Sequence, residues 1–180
     1  MIKLIILDID GVMTDGTKVY DRDHKVLSKR FFCKDFTAIK RFIASGINVI
    51  MLSGDEWNRS MAEKRNIEFY CSRNQNLSLD KSLLLPTLIT KYNISLDEIA
   101  FVGDDYFDLS MFKKIKYSFC PYDSPSIIKK NSYEILTKSG GTGVVSELYD
   151  YFIDNNWIED ADPEKVAFLD KQEITSKEMK

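Results

Sequence analysis

The sequence predicts an α/β fold, a doubly wound Rossmann-like parallel sheet, and three apolar runs carry that prediction. Residues 3–7 run into Asp8, residues 47–52 into Ser53-Gly54, and residues 99–102 into Gly103-Asp104-Asp105. Continuous aliphatic and β-branched runs suit strands covered on both faces. Stretches with helical character lie between them, the alternation of a parallel sheet. The chain has 180 residues, and at about 150 residues per domain it forms one.

The elements follow in order. After the first strand, residues 17–20 and 26–32 flank Asp21-Arg22-Asp23-His24-Lys25 and read as a β-hairpin with a polar tip, placed to act as a flap over the active edge. Asp35 can cap a helix carrying Phe36, Ile39, Phe42 and Ile43 on one face, closed by Gly46. Residues 56–65 read as a second helix and 78–92 as a third, which Pro86 must kink or begin. Residues 67–71 and 117–119 read as short strands, and a helix from Val144 to about Asn155 follows Gly140-Gly141-Thr142-Gly143. From residue 159 the chain is charged and poorly periodic. The expected organisation is thus one domain over 1–158 and a polar tail of marginal order over 159–180.

Composition narrows the functional classes. Hydrophobic residues make up 44% and charged residues 29%, enough for a real core. With 25 Lys plus Arg against 28 Asp plus Glu the net charge is −3, so neither nucleic acid nor an anionic membrane is an expected partner. No apolar run approaches the ~18 residues of a membrane span, and a cytoplasmic location is expected. Cys33, Cys71 and Cys120 are an odd, widely spaced set that reads as reduced thiols. His24 is the one histidine and sits in the hairpin tip, which speaks against histidine-based catalysis.

Ligands collect beyond the C-terminal ends of strands in open α/β sheets. The three runs deliver Asp8, Asp10, Ser53, Asp104 and Asp105 to that edge. Clustered carboxylates need a cation, and oxygen ligands without His or Cys favour Mg2+. A carboxylate nucleophile beside a second carboxylic acid suits phosphate-ester cleavage, and Lys81 can neutralise phosphoryl charge. Taken singly, an Asp at a strand end is an ordinary helix cap, Ser53-Gly54 an ordinary turn and Lys81 a surface lysine. Their joint order after three buried strands favours a site. Gly140 to Gly143 reads more simply as a turn and helix start than as an anion site.

Asp8-Ile9-Asp10-Gly11-Val12-Met13-Thr14-Asp15-Gly16 resembles the first motif of the haloacid dehalogenase superfamily of phosphatases. Its form is similar to the capless branch of the 3-deoxy-manno-octulosonate 8-phosphate (KDO 8-phosphate) phosphatases and related nonulosonate 9-phosphate phosphatases. Ser53, Lys81 and Gly103-Asp104-Asp105-Tyr106-Phe107-Asp108 fall in the order of the second, third and fourth motifs. Gly140 to Glu147 resembles that branch's C-terminal segment, and the resemblance covers residues 1–153. It implies a phosphoric monoester hydrolase with Asp8 as nucleophile and Asp10 as general acid and base. It further implies Mg2+ held by Asp8, the Asp10 carbonyl and Asp104, with Asp105 close by, and a phosphoryl group bound by Ser53, Gly54 and Lys81. Thr14 and the segment Phe32-Cys33-Lys34-Asp35 correspond to positions that approach the sugar.

The departures concern substrate. Asp55 stands where KDO 8-phosphate phosphatases usually carry arginine, and an acidic residue there looks more like the phosphatases of nine-carbon 2-keto-3-deoxy acids. Phe36 and Ala38 fill glycine positions, and Thr142 and Ser146 stand at positions that often carry arginine. Lys34, Arg59 and Lys64 are left as candidate partners for a substrate carboxylate. The expected activity is Mg2+-dependent removal of phosphate from a 2-keto-3-deoxy sugar acid phosphate. The alternatives are another sugar phosphate, a mutase, or a catalytically silent regulatory domain. A receiver-type signalling domain is disfavoured, because the acidic pair already stands at strand one and the second run ends in Ser53. Forty-two residues separate Asp10 from Ser53 and fifty separate Ser53 from Asp104, too few for a large lid. The resembling phosphatases are tetramers with tails reaching into adjacent sites, which implies a homotetramer whose site is completed by a neighbouring subunit.

Overall fold

The computed structural model describes residues 1–74, 77 and 80–178, the side chains of 174–178 excepted. Strands β1 (Leu4–Leu7), β4 (Asn48–Ser53), β5 (Glu68–Cys71), β6 (Ile99–Val102), β7 (Tyr117–Cys120) and β8 (Glu134–Ile135) form one sheet in the order β5-β4-β1-β6-β7-β8. Every pairing in it is parallel. Leu7 pairs with Met51 on one side and Val102 on the other, so Asp8, Ser53 and Gly103 emerge at the same edge. The apolar runs are continuous because β1 and β6 are buried along their whole length.

Helices cover both faces. Alternate strand residues separate the core, with Ile5 and Leu7 in one cluster and Leu4 and Ile6 in the other. On the first face α1 (Cys33–Ala44) packs on α6 (Val144–Asp154). The Phe42 ring stands edge-on to Tyr149 at 4.9 Å and to Phe152 at 5.3 Å. On the second face lie α3 (Leu85–Tyr92), α4 (Leu109–Phe112) and α5 (Ser126–Lys129), which bury Leu88, Met111, Phe112 and Ile128. The short α2 (Arg59–Glu63) follows a 3-10 turn at Glu56–Asn58, dividing the segment expected as one helix. Another 3-10 turn at Lys81–Leu84 leads into α3, with Pro86 in its first turn. The expected start of that helix at 78 lies outside the described residues. The hairpin is β2 (Val19–Tyr20) and β3 (Val26–Ser28), and it leaves Val19, Tyr20 and Leu27 exposed.

Two local expectations change. Helix α1 begins at Cys33, so Asp35 lies in its first turn and does not cap it. Instead Asp35 is buried and its Oδ1 accepts the Ser146 N–H at 2.9 Å, capping α6 from a distance of 111 residues. The tail expected to be of marginal order forms α7 (Pro163–Glu178), which lies on α1. Its apolar residues Val166, Ala167, Phe168 and Leu169 are consecutive and so do not share one face. It docks through charge: Lys40 pairs with Asp170 and, at 2.7 Å, with Glu173, which also meets Arg65 at 3.4 Å.

Truncating Phe42 to Ala empties the α1–α6 contact and should cost about 3–5 kcal/mol, read as a lower urea midpoint. Burial pushes the Asp35 carboxyl up to about 6 from its ordinary 3.8, against the lowering effect of the Ser146 and Val145 N–H groups. The folded value lies above the unfolded one, so the stability gained by protonation is complete below about pH 4 and lost as pH rises through about 6. Asp35→Asn removes that titration, worth about 3 kcal/mol. Its urea midpoint should therefore gain on the wild type between pH 4 and 7, whereas an offset independent of pH would contradict the assignment.

Candidate active site

Asp8 leaves β1 at the carboxyl edge, its N–H bound to the Val102 carbonyl at 2.9 Å. Lys81 reaches it from the turn before α3. Its Nζ donates to Asp8 Oδ1 at 2.7 Å and to Asp108 Oδ1 at 2.6 Å, all three residues being buried. The other oxygen of Asp108 accepts the N–H groups of Asp104 at 3.0 Å and Asp105 at 3.1 Å, which fixes the loop after β6. Asp104 lies directly against Gly11. A Cβ at position 11 would fall 2.0 Å from Asp104 Oδ2, and the φ of +95° also favours glycine. The glycine of the first motif thus brings the acidic loops of β1 and β6 together.

Asp8, Asp104 and Asp108 each offer an oxygen within 4.8 Å of the others. Burial drives the Asp104 carboxyl well above the usual carboxylate range, and the charges of Asp8, Asp108 and Asp105 add to that rise. Asp8 is likewise raised by burial, with Lys81 opposing. Burial also disfavours the charge on Lys81, yet Asp108 and Asp8 outweigh it and hold the ammonium charged. One lysine cannot balance three close carboxylates. Among the described residues Asp104 Oδ1 is buried without a hydrogen-bond partner, a hard acceptor beside the other two carboxylates. This donor set fits a divalent cation bound by oxygen.

On the opposite side Asp10 is held by the hairpin and the Ser53 loop. Lys29, just past β3 and with a buried side chain, donates to Asp10 Oδ1 at 2.6 Å, Asp55 Oδ2 at 2.9 Å and Asn58 Oδ1 at 2.9 Å. Asn58 Nδ2 donates to Asp10 Oδ2 and to Ser53 Oγ, each at 3.0 Å. The flap is therefore tied to the Asp10 carboxyl by an ion pair whose lysine is buried. Asp55 is also gripped by Lys18 at 2.7 Å. Burial works against its charge, but Lys18 and Lys29 prevail and hold the carboxyl well below the usual range.

A cleft of about 200 Å3 joins these groups. Asp8, Asp10, Ser53, Gly54, Asp55, Lys81, Asp104 and Asp105 line it, as the sequence expected; Lys18, Ser72, Arg73, Phe107 and Asp108 line it as well. The remaining candidates for sugar contact do not. Thr14 is buried and its Oγ1 accepts the N–H groups of Gly11 and Gly16 within the first-motif loop. Asp35 caps α6. Phe32 lines a separate hollow with Arg30 and Thr142. Arg59 pairs with Glu56 and Glu63, and Lys34 and Lys64 are exposed elsewhere. Gly140 serves as a buttress, since a Cβ there would fall 2.1 Å from the Gly11 carbonyl oxygen, and Gly141 N–H binds the Val12 carbonyl at 2.9 Å. Sequence reasoning missed Lys29 and Asn58 and gave Asp108 no role. Asp108 could have been found as the third acid of its own motif; nothing local marks the other two.

A family model of haloacid dehalogenase-like hydrolases matches residues 66–148. The 3-deoxy-D-manno-octulosonate 8-phosphate phosphatase KdsC of Haemophilus influenzae is 30% identical over 155 residues, spanning 84% of this chain and 83% of that protein. The cobalt-bound structure of the H. influenzae enzyme superposes with a TM-score of 0.76 at 29% identity, over 85% of this chain and 88% of that one. The Moraxella catarrhalis phosphatase in complex with magnesium ion, phosphate ion and KDO gives a TM-score of 0.76 at 26% identity, over 87% and 89%. Among the described residues no helix is long and apolar enough to cross a membrane. With the acidic edge, the buried lysine and the absence of a large cap among the described residues, these likenesses identify the chain as a member of the haloacid dehalogenase superfamily in the branch of the KDO 8-phosphate phosphatases, a phosphoric monoester hydrolase.

Proposed function

We propose that the chain is a Mg2+-dependent phosphatase of 2-keto-3-deoxy sugar acid phosphates, either KDO 8-phosphate or a nine-carbon 9-phosphate, acting through an aspartyl-phosphate. The observation that carries the chemistry is the buried Asp8–Lys81–Asp108 arrangement beside Asp104. The substrate class rests on the relatives named KDO 8-phosphate phosphatases.

Asp8, Asp104 and the Asp10 carbonyl would hold the cation, with Asp105 nearby; it would supply charge neutralisation for the phosphoryl oxygens. Lys81, Ser53 and the Gly54 backbone bind the phosphoryl group. An Asp8 oxygen attacks phosphorus, the ester P–O bond breaks, and the leaving sugar oxygen takes the proton carried by Asp10. Asp10 then takes a proton from water, which attacks the phosphorus of the acyl phosphate. The P–O bond to Asp8 breaks, releasing inorganic phosphate and regenerating the carboxylate. Lys29 and Asn58 fix the Asp10 carboxyl in one orientation through both steps.

The protein works as a homotetramer, with the open side of the cleft covered by a neighbour. The exposed apolar residues of the hairpin, Val19, Tyr20 and Leu27, and Tyr106 and Phe107 at the rim support that reading.

Asp8→Asn should abolish phosphate release from KDO 8-phosphate and the nine-carbon 9-phosphates, and undiminished turnover would remove Asp8 as nucleophile. Chelation with EDTA should stop the wild-type reaction and added Mg2+ should restore it. Light scattering should report a tetramer; a fully active monomer would contradict completion of the site in trans.

A further inference from the structure

The cations of the cleft are not equivalent. Lys81 is committed to Asp8 and Asp108, Lys18 to Asp55, and Lys29, behind the wall, to Asp10, Asp55 and Asn58. Arg73 is different. It lines the cleft and is exposed, and among the described residues no carboxylate pairs with it. Six aspartates line the same cleft, and the guanidinium meets none of them.

The base of Arg73 is fixed. Strand β5 ends in register with β4, Cys71 opposite Ser53. The Ser72 N–H then binds the Ser53 carbonyl at 2.9 Å, and Ser72 accepts the Leu77 N–H at 2.8 Å. The next residue, Asn74, is anchored to Glu56 at 2.9 Å. Because position 54 has no side chain, the guanidinium lies over the backbone there: Arg73 Nε is 3.5 Å from where a Gly54 Cβ would stand. An uncommitted fork of N–H donors is thus mounted one residue from Ser53, the seat proposed for the phosphoryl group.

We propose that Arg73 is a specificity-determining residue that binds the carboxylate of the substrate's sugar acid. The inference rests on the sugar-acid phosphate reading above and names the group that reads the acid. The phosphoryl charge already has Lys81, Ser53 and the cation. The carboxylate is the remaining fixed negative charge of such a substrate, and a guanidinium meets it with two parallel N–H···O bonds. Asp55, neutralised by Lys18 and Lys29, does not oppose it.

The test compares the full chain with Arg73→Gln and Arg73→Lys on two substrates. One is KDO 8-phosphate or a nine-carbon 9-phosphate, whichever the wild type hydrolyses; the other is p-nitrophenyl phosphate, which has no carboxylate. For Arg73→Gln, KM for the acid substrate should rise at least about tenfold with kcat held within about twofold, the loss expected for one charge-assisted pair. Arg73→Lys should recover part of that loss, and kcat/KM for p-nitrophenyl phosphate should stay within about twofold for both variants. An equal fall on both substrates would place the guanidinium on the phosphoryl group and overturn the proposal, as would an unchanged KM for the acid. A wild type that hydrolyses p-nitrophenyl phosphate but no keto-acid phosphate fails the functional reading itself, before any variant is made.

Discussion

Lys81 sits between Asp8 and Asp108 at hydrogen-bond distance from both, with Asp104 packed behind them against Gly11. Placing that much like charge out of water is costly unless it is paired. The surrounding structure is arranged around that requirement. The parallel register of β1, β4 and β6 brings three strand ends to one edge. Asp108 spends one oxygen on Lys81 and the other on the backbone of Asp104 and Asp105, so it organises the loop. The negative charge that remains falls on Asp8 and Asp104, where a divalent cation is the natural complement. A site built this way does not have to create a cation seat when substrate arrives, and the Asp8 carboxyl is already oriented by Lys81.

Much of this was legible in the sequence, for a reason that belongs to parallel sheets. A strand buried on both faces must be apolar throughout, so the first polar residue after it marks the edge where function collects. Asp8, Ser53 and Asp104 are such residues, and their order carried the family resemblance as well. Lys29 and Asn58 escaped notice because their importance arises only when the flap folds back onto the Ser53 loop, a contact across 29 residues. Asp35 was misread because its hydrogen-bonding partner lies on another helix. Helix α7 was missed because ion pairs and the single packed Val166 hold it to α1 without an apolar stripe, and a polar segment with no periodicity resembles an unstructured tail.

The hairpin takes a more specific part than a cover. Through Lys29 it binds Asp10 and Asp55 at once, and through Lys18 it binds Asp55 again. The acidic residue after Ser53-Gly54 therefore serves as an anchor for the flap, with its charge spent within the protein. That leaves recognition of the sugar to whatever faces the cleft without a partner, and shifts attention from the surface cations of α1 and α2 to the turn after β5.

The proposed chemistry requires Asp8 to become covalently phosphorylated. Turnover of the preferred substrate quenched with borohydride, followed by peptide mass spectrometry, reads this directly, because reduction of an aspartyl-phosphate leaves homoserine in its place. Homoserine at residue 8, dependent on substrate and on Mg2+, is the predicted result. An unreduced Asp8 alongside homoserine at another aspartate would contradict the account.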